Sequence, residues 1–173
     1  HKIPIETKPD FIERLGKTTP LPAVAELIWN GLDAGSELVE VGVVTNAING
    51  IEEVTVKDGG TGIPFNEVEH LCGNLGDSWK KRENRKFGRA LHGKNGQGRF
   101  KAFTLGHHVR WRTTVEIDGK LMTYDISGSS SALNDMSFTD PVPAKASGTG
   151  TVVIIDQIDA SLSTLCREEA PHE

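Results

Sequence analysis

The sequence is short of cysteine, of aromatic side chains and of long apolar runs, and each shortage removes a class of protein. Only two cysteines occur among 173 residues, Cys72 and Cys166, far apart and in no CxxC spacing. That argues against a disulfide framework or a zinc ribbon and makes a reduced, cytoplasmic setting the expectation. No apolar stretch approaches the roughly 20 residues that a membrane span requires, so no membrane partner is expected. Aromatic residues make up 6%, which leaves little to stack on the bases of a nucleic acid. The remaining composition, 36% apolar and 25% charged, lies near the soluble average and argues against wholesale disorder, collagen and coiled coil. The length suits a single domain over residues 1–173, with enough material for a core. Because the chain opens on His1 rather than Met, it is expected to be a segment of a longer protein.

Glycine, by contrast, is plentiful and clustered. Nine of the 19 glycines fall in three short stretches: Gly59, Gly60 and Gly62; Gly88, Gly93, Gly96 and Gly98; Gly148 and Gly150. Between them the chain reads as ordinary secondary structure. Pro9 to Lys17 suits a short helix, and Ala23 to Ala34 an amphipathic one, with Val24, Leu27, Ile28 and Gly31 on an arc that faces a core. Thr18, Thr19, Pro20 and Pro22 supply start signals for it. Leu38 to Ile48 and Ile51 to Val56 read as strands joined by a two-residue turn at Asn49-Gly50. A short helix is expected over Phe65 to Leu71, a long loop over Gly73 to Gly98, and the first turns of a helix from Arg99. Strands His108 to Ile117 and Lys120 to Ile126 flank Asp118-Gly119, a second hairpin turn. Ser127 to Gly150 reads as a polar loop and Thr151 to Asp156 as a buried strand. The pattern predicts an α+β two-layer sandwich, a mixed, mostly antiparallel sheet with helices on one face.

Three places carry candidate chemistry. On the helix, Glu26, Asn30 and Asp33 fall within roughly 60° of one another, opposite the apolar arc. A solvated face accounts for such a column, but Asn and Asp are poor mid-helix residues, and an amide beside carboxylates suits a hard cation with its water. At the end of a predicted strand, Asp58-Gly59-Gly60-Thr61-Gly62 has more glycine than one turn needs, which would let a flat ligand approach the backbone, with Asp58 accepting from an exocyclic amine. Residues 80–94 carry seven basic residues against Glu83, a net +6 in a chain of −5. The Gly93-Lys94-Asn95-Gly96-Gln97-Gly98 run then leads into a helix, an arrangement that cradles phosphate. It is neither a Walker A loop nor a dinucleotide fingerprint.

In this order these pieces resemble the GHKL ATPase superfamily of gyrase B subunits, ninety-kilodalton heat-shock chaperones, histidine kinases and MutL-type repair proteins. Glu26 to Ala34 is similar to its N-box, Asp58 to Gly62 to its D-x-G-x-G box, Gly93 to Gly98 to its lid motif, and Gly150-Thr151 to its final G-T. The resemblance runs from about Pro20 to Asp156 and implies the Bergerat-type ATP-binding fold, with ATP and Mg²⁺ as cofactors and residues 73–98 as the ATP lid. It implies Glu26 as the general base and Asn30 as the residue that binds Mg²⁺ through ATP. Cofactor binding would fall to Asn30, Asp33, Asp58, Gly60, Gly62, Lys94, Asn95, Gly96, Gln97, Gly98 and Thr151. Asp58 would hold the adenine amino group, Gly60 and Gly62 would give the base room, and Thr151 would support the adenine end. The Asp33-Ala34 ending is closer to the chaperone, gyrase and MutL branches than to histidine kinases. It also implies a homodimer of the full-length protein, with lid closure coupled to dimerisation.

Two other readings stand beside an ATPase: a nucleic-acid-binding domain that uses the basic loop 80–94, and an ATP-binding switch that does not hydrolyse. His107-His108 lacks partners at ligand spacing and is expected to be structural. Trp29, Trp79 and Trp111 are expected to pack, with Trp29 helping to seat its helix, and Cys72 and Cys166 to fill space.

Overall fold

The computed structural model describes residues 1–4, 19–48, 50–69, 85–86, 89–90, 98–132, 135–158 and 162. The expected helix over Pro9 to Lys17, the two cysteines, Trp79, Asn49, most of the 73–98 lid and nearly all of the tail beyond Ala160 lie outside them. The chain runs β1 (Lys2–Pro4), α1 (Pro20–Asp33), β2 (Val39–Thr45), β3 (Ile51–Asp58), β4 (Arg85–Lys86), β5 (Arg89–Ala90), β6 (Gly106–Ile117), β7 (Lys120–Ser129), β8 (Asp135–Phe138), β9 (Val142–Pro143) and β10 (Gly150–Ile158), with 3₁₀ turns at Phe65–Glu67, Gly98–Thr104 and Ser130–Ala132.

Helix α1 starts three residues earlier than expected, because Pro20 sits comfortably at its first position, where no N–H is needed. Thr19 is the N-cap, in an extended conformation, but its hydroxyl makes no capping bond. The other end closes with Gly35 in the left-handed region at φ 89°. Its N–H donates to Leu32 O and that of Ser36 to Gly31 O, at 3.0 and 3.1 Å, the paired bonds of a Schellman ending. The chain therefore turns sharply at 34–36 and enters β2.

The sheet order is β1-β8-β7-β6-β10-β3-β2, with β9 alongside β7, and every described pair is antiparallel. Asp118-Gly119 makes the two-residue turn between β6 and β7, with both residues at positive φ as a type I′ turn requires. The β2–β3 connection differs from the expected Asn49-Gly50 turn. Thr45 pairs with Ile51, so five residues intervene. Asn46 explains why: its Oδ1 accepts from the N–H groups of Ile48 and Gly50, at 3.1 and 2.8 Å, and organises a wider loop. The stretch expected as one polar loop after Ser127 contains β8 and β9, and within the expected irregular lid β4 pairs with β5. Its Ser, Ala and Pro content hid β8, which carries only Met136 and Phe138 toward the core. The helix expected from Phe65 opens with a 3₁₀ turn over Phe65–Glu67 and is α-helical at Val68 and Glu69, the last described residues there, and the one expected from Arg99 appears as a 3₁₀ turn.

Alternation along the strands builds the core. One row crosses five strands in register, Val56–Val153–Trp111–Ile126–Phe138, and all five residues are buried. Ala23 and Leu27 of α1 cover it, together with Ala102, Phe103 and Leu105. The buried face of α1 follows Ala23, Leu27 and Gly31, one turn apart, rather than centring on Val24 and Ile28, which are only partly buried. Trp29 is 42% exposed and so lies outside the buried face of the helix. The opposite sheet face is polar and carries the exposed pairs Lys57–Glu40, Arg112–Asp125 and His108–Asp156, each worth little to stability.

The next row along the same strands is polar: Asp58–Thr151–Thr113–Tyr124. Tyr124 is 2% exposed, and its hydroxyl donates to the carbonyl of Ile63, fastening the 59–64 loop to the sheet. Tyr124→Phe removes the donor to that half-buried carbonyl and should lower unfolding free energy by about 1 kcal/mol. Urea denaturation checks this, and unchanged stability would mean that the bond does not hold the loop.

Candidate functional site

The polar row marks the place where the helix, the ends of two strands and a glycine loop converge. Asp58 is the last residue of β3, so its side chain points to the helical face just beyond the apolar row. Its Oδ1 accepts from Gly60 N–H at 2.8 Å and from Thr151 N–H at 3.3 Å. Its Oδ2 accepts no hydrogen bond among the described residues and is the oxygen left for a ligand donor. Burial raises the Asp58 pKa above its ordinary 3.8, and the Gly60 and Thr151 bonds offset only part of that.

Behind Asp58 the support is a network of hydroxyls. Thr113 is fully buried; its Oγ1 accepts from Ile63 N–H at 2.9 Å and lies 3.2 Å from Thr151 Oγ1 and 3.3 Å from Gly150 O. Ser36 Oγ accepts from Gly59 N–H at 2.9 Å and donates to Leu38 O at 2.6 Å. Thr149 Oγ1 donates to Gly60 O at 2.8 Å. The 59–63 loop is thus pinned from α1's end, from β6 and from the residue just before β10. None of Thr113, Ser36 or Thr149 was picked out from sequence. Thr113 left one usable signal: it is a lone hydroxyl in the alternating apolar series Val109, Trp111, Val115.

The glycines have a packing reason. A Cβ on Gly60 would lie 2.7 Å from both the Cβ and the carbonyl oxygen of Ala34. At Gly62, φ is 72° and a Cβ would lie 2.5 Å from Thr114 O. The space that their missing side chains free is therefore filled by the protein itself. Room for a flat ligand is not what requires glycine there, although their main chain still borders Asp58. Gly31 does the same for the helix, since a Cβ there would stand 2.8 Å from Asp58 Cβ. Its small size brings α1 against the end of β3.

Along α1, Glu26, Asn30 and Asp33 follow one another over about 10 Å of axis. They flank the buried face instead of opposing it: Asp33 is 5% exposed, and Asn30 is half-buried. Glu26 Oε2 lies 3.3 Å from Lys101 Nζ, both side chains being partly buried. The pair joins α1 to the 3₁₀ turn that begins at Gly98. Lys94, Asn95, Gly96 and Gln97 lie outside the described residues. His107 Nδ1 bonds to Ser130 and His108 Nδ1 to Asp156, so neither stands in the site. Among the described residues no helix is long and apolar enough to cross a membrane.

An acidic strand end beside a glycine loop, set against a helix that presents Glu26 and Asn30, is an arrangement with a known family behind it. The family model described as "Histidine kinase-, DNA gyrase B-, and HSP90-like ATPase" matches residues 18–151, well over half of the chain. The chain belongs to this ATPase family. No curated protein matches the sequence. The antiparallel sheet with α1 on one face is the α+β fold expected of a GHKL domain, and membership supports ATP as its ligand.

The raised Asp58 pKa has a consequence for this GHKL domain that involves no ligand. Between 3.8 and the raised value the folded chain keeps a proton that the unfolded chain has lost, so stability falls as pH rises through that window. Asp58→Asn should therefore be more stable than wild type at pH 7, with the gap closing as the pH drops below the window. Thermal unfolding of both proteins from pH 3 to pH 7 checks this; a variant less stable at pH 7 would show that the charge is not strained.

Proposed function

We propose that the chain binds ATP with Mg²⁺ and hydrolyses it. The observation that carries this is the alignment of Asp58, with Oδ2 open to a donor, against Gly31, five residues and roughly 7–8 Å of helix axis from Glu26. In this reading Asp58 Oδ2 accepts from the adenine amino group, and Thr151 and the main chain of Gly60 and Gly62 frame the base. Asp33 braces the same end. The triphosphate extends along α1 toward Glu26, where Lys94, Asn95, Gly96, Gln97 and Gly98 close over it with backbone N–H groups.

No group of three His, Cys, Asp or Glu side chains that would cage a metal exists among the described residues. The donors present, the Asn30 amide oxygen with Glu26 nearby, fit an ion that arrives already coordinated by phosphate and water. Asn30 would hold it, and when bound it would neutralise charge on the phosphate oxygens. Glu26 takes a proton from the attacking water as that oxygen bonds to the γ-phosphorus. The bond from the γ-phosphorus to the bridging oxygen breaks, and its electron pair leaves with ADP. Retention of Glu26 favours hydrolysis over a binding switch. In the parent protein, lid closure over residues 73–98 would couple this cycle to homodimerisation, as on the chaperone, gyrase and MutL side of the family.

Titration calorimetry with ATP and Mg²⁺ tests the binding half. Wild type should bind, and Asp58→Asn, which turns an N–H₂ toward the adenine amine, should bind about 10- to 100-fold more weakly. No heat from wild type would overturn the proposal. For the chemical half, Glu26→Ala should keep ATP but lose turnover by about 10²- to 10⁴-fold. Phosphate release at an unchanged rate would remove Glu26 from the role.

A further inference from the structure

The proposed base has a partner that the motifs do not name. Glu26 is a long side chain with three rotatable bonds, and a carboxylate acts as a base only if one oxygen is aimed at the proton it takes. Lys101 Nζ lies 3.3 Å from its Oε2, while Oε1 has no hydrogen bond among the described residues.

Both ends of that pair are held from behind. Glu26 lies between the buried Ala23 and Leu27 on α1. Lys101 precedes Ala102, Phe103 and Leu105, exposed 0, 8 and 0%. Two hydrogen bonds tie its turn, Thr104 Oγ1 to Lys101 O at 2.7 Å and Leu105 N–H to Ala102 O at 3.0 Å. Phe103 also packs edge-on against Trp111 in the core row. The lysine stem thus rises from a fixed point, three residues beyond Gly98. A wandering surface lysine would have neither the anchored turn nor the shielding, its side chain being 32% exposed and that of Glu26 19%.

We infer that Lys101 is a positioning residue for hydrolysis: its ammonium fixes Glu26 Oε2 and leaves Oε1 for the attacking water. This rests on the reading of Glu26 as base. It also means that the turn ending the glycine segment sets the orientation of the base, so the phosphate-facing and water-facing parts share one anchor.

Lys101→Met and Lys101→Arg, each alone and combined with Glu26→Gln, test it. Lys101→Met should keep the ATP dissociation constant within about twofold and the melting temperature near wild type, while kcat falls about 10- to 100-fold. Lys101→Arg, which restores a cation in reach of Oε2, should recover most of the loss. In the Glu26→Gln background, Lys101→Met should cost nothing more, because its effect passes through Glu26. Three results overturn the inference: kcat unchanged in Lys101→Met, a loss confined to ATP affinity, or a full further loss on top of Glu26→Gln. A wild type that binds ATP and never turns it over overturns the hydrolysis reading itself, which sets that failure apart from the other three.

Discussion

The site depends on strand register. Antiparallel pairing of β3 with β10 and of β10 with β6 puts Asp58, Thr151 and Thr113 in one row, and a slip of one residue in either pair would turn a member to the opposite face. What forbids the slip is the adjacent row, Val56–Val153–Trp111–Ile126–Phe138, which is buried along its whole length. Two residues of period-2 alternation separate the apolar row from the polar one. The hydrophobic effect therefore sets the positions of Asp58, Thr151 and Thr113, although these three contribute little apolar area themselves.

Given that register, the remaining problem is distance. A helix packed on a sheet usually keeps side chains between the two backbones. Here α1 must come close enough for its polar edge and the end of β3 to face the same space. Gly31 and Gly60 allow it, since a Cβ at either would collide with Asp58 or Ala34. The Schellman ending at Gly35 then returns the chain so that Ser36 can accept from Gly59. The glycines thus act as spacers between protein surfaces.

This bears on what could be read without coordinates. Asp58, Gly60, Gly62 and Thr151 stand out in the sequence because they fall in short local motifs, and α1, β3, β6, β7 and β10 are legible because their apolar periodicity is long and regular. Thr113 offers only a hydroxyl in an apolar alternation, and its partners in the row, Thr151 and Asp58, are distant in sequence. The Glu26–Lys101 pair spans 75 residues of sequence, and no spacing rule connects such positions. Strand β8 is hard to read because its few core residues, Met136 and Phe138, lie in a stretch rich in Ser and Pro, while its partners are β7 and the distant β1. Glycine at 60 and 62 makes room for Ala34 and Thr114, a requirement that only the packed structure reveals.

The two ends of the site are built on opposite electrostatic terms. At Asp58 the protein puts a carboxylate where burial disfavours its charge, and two backbone N–H groups compensate incompletely. At Glu26 a carboxylate meets an ammonium on the helix flank, both side chains partly buried, and the pairing restricts the orientation of the side chain. An unfavourably buried acceptor gains most from a ligand donor that completes its shell, because the ligand removes a cost the empty fold carries. A partly buried ion pair gains nothing comparable, but it suits the aimed base proposed for Glu26. In the proposed reading, the strand terminus serves recognition and the helix flank proton transfer, both from half-buried positions.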